Sequence, residues 1–264
     1  MVDGRSATYA TPHISPQASL VATIRPPMDD LAQGLSSAAH LMLGADTELW
    51  SVVALSLRVS GTACLIGAAF GLAAGAWLAI ARFPGHAVVV GVLNTLLALP
   101  SVVVGLVVYL LLSRAGPLGS LGILFTPSAM VVAQSILVVP LVAALARRLV
   151  LLALAEGGDQ LRSLGAGPFT TALLLLLHER FGVLTVLLTA FGRAIAEVGA
   201  VMIVGGNIDG VTRVMTTTIA LETSKGDLPL ALALGVVLLG VVAVLNTLIG
   251  LLQWRSGAPR EALV

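Results

Sequence analysis

The chain has 264 residues, of which 58% are hydrophobic and only 10% are charged, with a formal net charge of +1. Soluble domains carry about 25% charged residues, and a chain this apolar has too few polar groups to cover its surface. The composition excludes an ordinary soluble enzyme, a disordered chain and a nucleic-acid binder. The apolar runs lack the alternation of a membrane β-barrel, so we expect an all-α, polytopic bundle of transmembrane helices.

Residues 1–45 contain four prolines among scattered polar residues, and we expect a loose N-terminal tail there. The transmembrane domain is predicted over 50–252, followed by a short C-terminal tail at 253–264. Crossing the hydrocarbon layer takes about 20 apolar residues. Pro100 predicts a kink in the second span. The predicted spans are 59–81, 87–112, about 124–146, about 183–205 and 228–252.

One further apolar run, 172–177, is followed at once by His178, Glu179 and Arg180. A full span would bury these groups in the membrane, where each charge costs about 2.5–3.5 kcal/mol or more. We therefore expect a short helix at the cytoplasmic surface. The predicted number of spans is five, and six is the alternative.

Basic residues in the loops predict the orientation in the membrane. With five spans the connections alternate sides, and one side receives seven basic residues against four on the other. The richer side is predicted to be cytoplasmic, which places the N-terminus outside the plasma membrane and the C-terminus inside. The seven are Arg82, Arg147, Arg148, Arg162, Arg180, Arg255 and Arg260, and the four are Arg58, Arg114, Arg213 and Lys225.

The connection between the third and fourth spans, 147–182, is too long for a simple turn. Its first part has helical spacing, weakened by the Gly-Gly pair that follows Glu156. Gly165 and Gly167 then break the pattern, and Pro168 suits the first turn of a new helix. We expect two short helices that meet at a glycine hinge, an elbow that either docks in the cleft of another protein or lies on the surface.

The stretch DQLRSLGAGPF within this connection resembles the coupling loop of ABC-transporter permeases of the type I importer class, whose pattern is written EAAxxxG. Aligned on Gly165, the family's glutamate falls on Asp159, and Arg162 to Gly165 fit the commonly seen R-x-L-G. The family's two alanines and its closing Leu-Pro are absent. The resemblance implies that the residues coupling this chain to an ATPase are Glu156, Asp159, Arg162, Leu164 and Gly165.

The stretch TAFGRAIAEVGAVMIVGGNIDGVTRVMTTTIALETSKGD, residues 189–227, is similar to permeases of tungstate importers and, less closely, to those for molybdate and sulfate. Further matches in the same order are SLRVSGTA (56–63), ALPSVVVGLVVYLLLSRAGPLG (98–119) and LFTPSAMVVAQ (124–134). The resemblance implies a permease homodimer in membrane lipid, two cytoplasmic ATP-binding subunits and an extracytoplasmic oxyanion-binding protein. Molybdate and sulfate remain the alternative substrates.

Arg193 and Glu197 lie four residues apart in the fourth predicted span, on one helical face and within reach of an ion pair. Both should face the protein interior, because an unpaired charge in lipid is costly. The pair either fixes helix packing or tunes a translocation path in which Arg193 attracts the anion and Glu197 prevents its capture. An ion-gradient-driven transporter would use Glu197 as a proton carrier, but the sequence predicts no inverted repeats or paired broken helices.

Gly205, Gly206 and Asn207 end the fourth predicted span. They form either a helix C-cap, since both residue types tolerate left-handed backbone, or a set of backbone N–H donors for the oxyanion at the outer mouth. Three hydroxyls in the following outer loop either cap a helix or add donors for the anion. They belong to Thr216, Thr217 and Thr218.

The sequence contains no recognisable metal, nucleotide or catalytic motif. The four histidines are scattered without an HExxH pattern, and GxxxxGK[ST] is absent. A single cysteine, Cys64, excludes a disulfide framework and a CxxC site. We therefore expect no cofactor, no catalytic residues and no enzymatic activity of the chain alone. Gln134 and Asn94, which are polar residues inside spans, are expected to hydrogen-bond between helices.

Overall fold

The computed structural model describes residues 47–256, together with Ser36, His40 and Gly44. Every regular element in this part of the chain is helical, which confirms the predicted all-α class. The predicted N-terminal tail lies almost entirely outside the described residues, and so does the C-terminal tail beyond Ser256. Apart from one 3-10 turn, the elements are α1 (Thr47–Ile80), α2 (His86–Leu97), α3 (Ser101–Leu112), α4 (Pro127–Ser163), α5 (Pro168–His178), α6 (Arg180–Ile195), α7 (Gly199–Gly205), α8 (Met215–Lys225) and α9 (Leu228–Ser256).

Three of these helices, α1, α4 and α9, are each long and apolar enough to cross a membrane alone. Two helix pairs, α2 with α3 and α5 with α6, meet the same test together but are sharply bent. Counting each bent pair as one span gives five. That number agrees with the five spans expected from the sequence, although the first begins at Thr47 rather than at residue 59.

α1 and α4 form the most extensive helix–helix contact among the described residues. Small residues allow this close approach, as is common in membranes. A Cβ atom added at Gly71 would lie 2.7 Å from Val142 Cβ and 2.8 Å from the carbonyl oxygen of Val139. The contacts follow both helices in the same direction: Gly67 meets Val138, Gly71 meets Val142 and Gly75 meets Ala146.

The second span is broken at the predicted kink. α2 ends at Leu97 and α3 begins at Ser101, directly after Pro100, and the two helices are bent by 98°. Proline has no amide hydrogen for the helix ladder, which explains why the break falls there. In α2 only Leu93 is buried, so most of this half-helix faces away from the rest of the chain.

The prediction of a separate first helix in the elbow is wrong. α4 runs without interruption through 37 residues to Ser163. An internal glycine costs a helix only about 1 kcal/mol, and this stretch packs Val150 and Ala153 against Leu175 of α5. That packing outweighs the Gly-Gly pair. Pro140 also lies inside α4 without ending it. The hinge at Gly165 and the helix start at Pro168 lie where they were predicted.

The fourth span is not the continuous helix predicted over 183–205. α6 ends at Ile195 and α7 begins at Gly199, so the chain breaks between them. The apolar run 172–177 lies in α5, which confirms a short helix there, and α5 and α6 are bent by 79° around Glu179. The sequence offered no proline at 196–198 to indicate the break, and its causes lie in other helices.

Candidate functional site

The break between α6 and α7 brings together the two charged residues of the fourth span. Arg193 Nη1 lies 3.1 Å from Glu197 Oε2, which confirms the ion pair expected from their spacing. Glu197 Oε1 accepts hydrogen bonds from the backbone amides of Val198 at 3.1 Å and Ala200 at 3.4 Å. The carboxylate therefore satisfies amides at the start of α7, where helical N–H groups lack partners. It ties the broken ends together.

The two members of the pair differ in exposure. The side chain of Glu197 is 5% exposed and that of Arg193 is 58% exposed. The expectation that both face the interior is correct for Glu197 and wrong for Arg193. A carboxylate with three donors tolerates burial, whereas the Arg193 guanidinium contacts Glu197 through Nη1 and more than half of the side chain stays exposed.

A small surface pocket, of about 50 Å³, opens beside this pair. Arg193, Glu197 and Gln134 supply its polar groups, and its other walls are mostly leucines of α4 and of the α2–α3 break, such as Leu97 and Leu99. Both breaks therefore border one pocket. An arginine on an apolar wall attracts anions strongly, because the guanidinium keeps its charge and presents several donors.

Side chains from two other helices take up the backbone carbonyls freed by the break. Gln134 Nε2 in α4 donates to the carbonyl oxygen of Ala194 at 3.0 Å. Thr216 Oγ1 in α8 donates to the carbonyl oxygen of Glu197 at 2.8 Å. The interhelical hydrogen bond expected of Gln134 is thus confirmed. Asn94 instead lies exposed on α2 and makes no side-chain hydrogen bond to another described residue.

The other end of α7 carries the predicted C-cap. Gly206 has φ 70° and Asn207 has φ 49°, both left-handed, and the Gly206 amide donates to the Met202 carbonyl at 3.0 Å. A Cβ atom at Gly206 would lie 2.8 Å from the ring of Phe125. Gly205, Gly206 and Asn207 therefore form a packed turn, and they do not line the pocket beside Arg193.

The three threonines of α8 cap and pack helices. All three side chains are buried, and each hydroxyl donates to a backbone carbonyl. Thr217 Oγ1 also accepts a hydrogen bond from the Val214 amide at 3.1 Å. The alternative that these hydroxyls serve as donors at an outer mouth is wrong, because the start of α8 packs into the core. They are Thr216, Thr217 and Thr218.

The elbow forms a second, separate group of candidate residues. Gly165 has φ 77°, and the Ala166 amide donates to the Leu161 carbonyl at 3.0 Å, the bond of a Schellman cap. Two apolar side chains flank the hinge, Leu164 at 81% and Phe169 at 82% exposure. The remaining predicted coupling residues, Glu156, Asp159 and Arg162, lie on the last turns of α4.

Sequence reasoning missed the polar contacts that hold α8 against the break. Ser56 Oγ in α1 accepts a hydrogen bond from the Met215 amide at 2.8 Å. Thr216, next along the chain, then bonds to Glu197. The signal available in the sequence was a serine inside an apolar helix, a residue type that commonly bonds between membrane helices.

Known proteins similar to this chain are permeases, while no family model matches it. The tungstate uptake system permease protein TupB of Peptoclostridium acidaminophilum is 42% identical over 230 residues, which cover 86% of this chain and 99% of the relative. A probable anion ABC transporter permease protein of Haloferax volcanii is 42% identical over 207 residues, covering 76% and 89%. The molybdenum transport system permease protein ModB of Escherichia coli is 33% identical over 241 residues, covering 83% and 98%.

Proposed function

Because the chain belongs to the permeases of ABC oxyanion transporters, we propose that it is the membrane-spanning subunit of an importer whose substrate is tungstate. The family makes it the permease of an ATP-driven oxyanion importer. The observation that carries the choice of tungstate is the 42% identity to TupB over 99% of that protein's length. Molybdate is the second candidate, favoured by 33% identity to ModB, and sulfate is the third.

The chain acts with separate partners rather than alone. It carries no nucleotide-binding motif in its sequence, so ATP is hydrolysed by two cytoplasmic subunits and not by this polypeptide. An extracytoplasmic oxyanion-binding protein delivers the anion and determines most of the selectivity among anions. A second copy completes the permease. Support for the second copy comes from the exposed surface of α2 and from the 58% exposure of the Arg193 side chain.

The elbow couples the ATPase to the membrane helices. Leu164 and Phe169 project from either side of the Gly165 hinge with four-fifths of their surface exposed, as expected of apolar side chains that dock into another protein. α4 is a single helix that joins the elbow to Gln134 at the break. Closing of the ATP-bound dimer moves the elbow, and α4 carries that motion to the pocket.

Arg193 and Glu197 set the electrostatic potential of the anion path. Arg193 draws the dianion to the pocket, and Glu197 offsets part of that charge so that the anion is released again. ATP binding opens the path outward to the docked binding protein, and hydrolysis resets it. Gly205, Gly206 and Asn207 shape the outer end of the path as a packed turn, with the Phe125 ring against Gly206.

The protein is a multi-pass protein of the plasma membrane. We infer that its N-terminus lies outside and its C-terminus in the cytoplasm, since the loops on one side carry seven basic residues against four. This orientation puts the elbow and Arg82 inside the cell. It leaves the turn at 205–207 facing the binding protein.

An ion-gradient-driven transporter is the rival function. The sequence argument against it, the absence of paired broken helices, does not hold, because two bent helix pairs are present. Membership of the ABC permeases argues against it instead. Both oxygens of the Glu197 carboxylate are also engaged, one by Arg193 and the other by two backbone amides.

Uptake of labelled tungstate in a strain that lacks this gene tests the proposal. We expect the gene to restore uptake, unlabelled tungstate to compete better than molybdate, and sulfate to compete least. Stronger competition by molybdate would contradict the substrate assignment. Concentration of the anion by vesicles that contain this polypeptide alone, without an ATPase, would contradict the ATP-driven mechanism.

A further inference from the structure

A second, much smaller cavity, of about 10 Å³, lies beside the pocket at the break and has room for about one water molecule. Its polar lining comes from four parts of the chain: Ser56 and Ser60 of α1, Gln134 of α4, Glu197 at the break and Thr216 of α8. Gln134 and Glu197 line this cavity and the outer pocket alike, so they form the wall between the two. The inner cavity is therefore next to the groups that hold the Arg193 turn.

Gln134 is 3% exposed and uses only half of its amide. Its Nε2 donates to the Ala194 carbonyl, and this bond fixes the orientation of the amide group. Its Oε1 is buried without a hydrogen-bond partner among the described residues. A buried acceptor without a donor is destabilising, and native structures satisfy nearly all such atoms with protein or ordered water. The missing partner must be a donor.

Three hydroxyls line this cavity, and none of them donates to Gln134 Oε1, the Ser60 hydroxyl included. Ser56 Oγ donates to the Val52 carbonyl at 2.7 Å and accepts from the Met215 amide. Thr216 Oγ1 donates to the Glu197 carbonyl. Each of these oxygens keeps a lone pair, so the lining has an excess of acceptors. A water molecule has two hydrogens to give, and buried waters typically make about three hydrogen bonds in polar cavities.

We propose that one ordered water molecule occupies this cavity and donates to Gln134 Oε1, and that Gln134 is a positioning residue that sets the direction of Arg193. The water gives its second hydrogen to Ser56 or Thr216 and accepts from Ser60. A cation is the wrong occupant, because the charge of Glu197 is already balanced by Arg193 and by two backbone amides.

Gln134 acts on Arg193 through Ala194, the next residue in the chain. The Ala194 carbonyl accepts from Gln134 Nε2 at 3.0 Å and from the Glu197 amide at 3.1 Å. The position of the Gln134 amide thus fixes the turn that separates Arg193 from Glu197. This part of the proposal rests on the proposed function, since its effect is read as oxyanion uptake.

Cryo-electron microscopy of the intact transporter in lipid nanodiscs, with its ATPase subunits, tests the water directly. At a resolution that shows other ordered waters, we expect a peak within about 3.2 Å of Gln134 Oε1, and we expect that peak to be lost in Gln134→Leu. An empty cavity, or uptake that requires sodium or potassium, would overturn the water. This result does not depend on which anion is transported.

Uptake kinetics of variants test the positioning role. Gln134→Leu is expected to raise KM for the anion about tenfold, with kcat changed by less than about twofold. Ser135→Ala is the matched control, because the Ser135 hydroxyl bonds only to Val131 of its own helix at 2.7 Å. In an Arg193→Ala background, Gln134→Leu should raise KM no further, because Gln134 acts through Arg193.

An additive effect in that double variant would overturn the positioning role, and so would an unchanged KM in Gln134→Leu alone. Where Arg193→Ala abolishes uptake, Arg193→Lys is the background, since lysine keeps the charge but not the planar guanidinium. KM is measured with whichever of tungstate, molybdate and sulfate competes best. A failure of the tungstate assignment is therefore distinguishable from a failure of this inference.

Discussion

Replacing Gly71 by alanine is expected to destabilise the α1–α4 contact. The new Cβ atom would lie 2.7 Å from Val142 Cβ, 2.9 Å from Val142 Cγ1 and 2.8 Å from the Val139 carbonyl oxygen. One of these atoms is backbone, so the helices must separate by several tenths of an ångström. Overpacking of this kind costs about 1–3 kcal/mol, and we expect the upper end of that range.

A matched glycine on the same helix gives the opposite sign. At Gly61 an added Cβ atom meets nothing within 4 Å, and replacing a helical glycine by alanine gains about 1 kcal/mol. Gly71→Ala gains the same propensity, which leaves a net loss of about 2 kcal/mol. The two variants should therefore differ by about 3 kcal/mol in the free energy of unfolding.

Reversible unfolding of the purified protein in mixed micelles measures this difference. Val142→Ala in the Gly71→Ala background should recover only part of the loss, because of the three close contacts it removes that to Cγ1 and leaves those to Val142 Cβ and to the Val139 carbonyl oxygen. Equal stability of Gly71→Ala and Gly61→Ala would refute the reasoning. Full recovery of stability by Val142→Ala would also refute it, because the contact with the Val139 carbonyl oxygen would then add nothing to the free-energy loss.

Three further predictions concern the elbow, the ion pair and the outer turn. In the variants Gly165→Pro and Asp159→Lys, we expect ATP hydrolysis to continue without anion uptake. Both activities are measured in the same reconstituted vesicles. Normal anion-stimulated hydrolysis and uptake in both variants would contradict the coupling role. Arg193→Ala combined with Glu197→Ala should lower anion uptake at least about tenfold, the effect of losing about 1.4 kcal/mol, and wild-type uptake by that double variant would show that the pair only fixes packing. Gly206→Ala should lower thermal stability by about 1–2 kcal/mol, because its φ of 70° and the Phe125 ring both oppose a Cβ atom; an unchanged melting temperature would show that this turn is loosely held.

Backbone chemistry that is local in the sequence was predictable. Pro100 ends a helix because it has no amide hydrogen, and Gly165 ends one because it adopts a left-handed φ of 77°. Both breaks lie where the sequence predicted them. Composition likewise predicted the helical class and the five spans, since length and apolarity are properties of each segment alone.

Features that depend on distant partners were not predictable. The break after Ile195 is held by Gln134, which lies 60 residues away along the chain, and no single segment contains that information. The continuity of α4 past its two glycines depends on packing against Leu175 of α5. The exposure of Arg193 was missed because the spacing of two residues on one helix does not show which of them the neighbouring helices cover.

Pro140 divides α4 into a short arm and a long arm. Gln134 lies six residues before it and Ser163 lies 23 residues after it, so the arms measure about 9 Å and about 35 Å at 1.5 Å per residue. If α4 turned as a rigid rod about Pro140, a displacement of about 4 Å at Ser163 would give about 1 Å at Gln134. A shift of that size is enough to break a 3.0 Å hydrogen bond such as that of Gln134 to Ala194. On the proposed coupling role of the elbow, a large displacement at the cytoplasmic end of α4 would therefore reach the break between α6 and α7 as a small one.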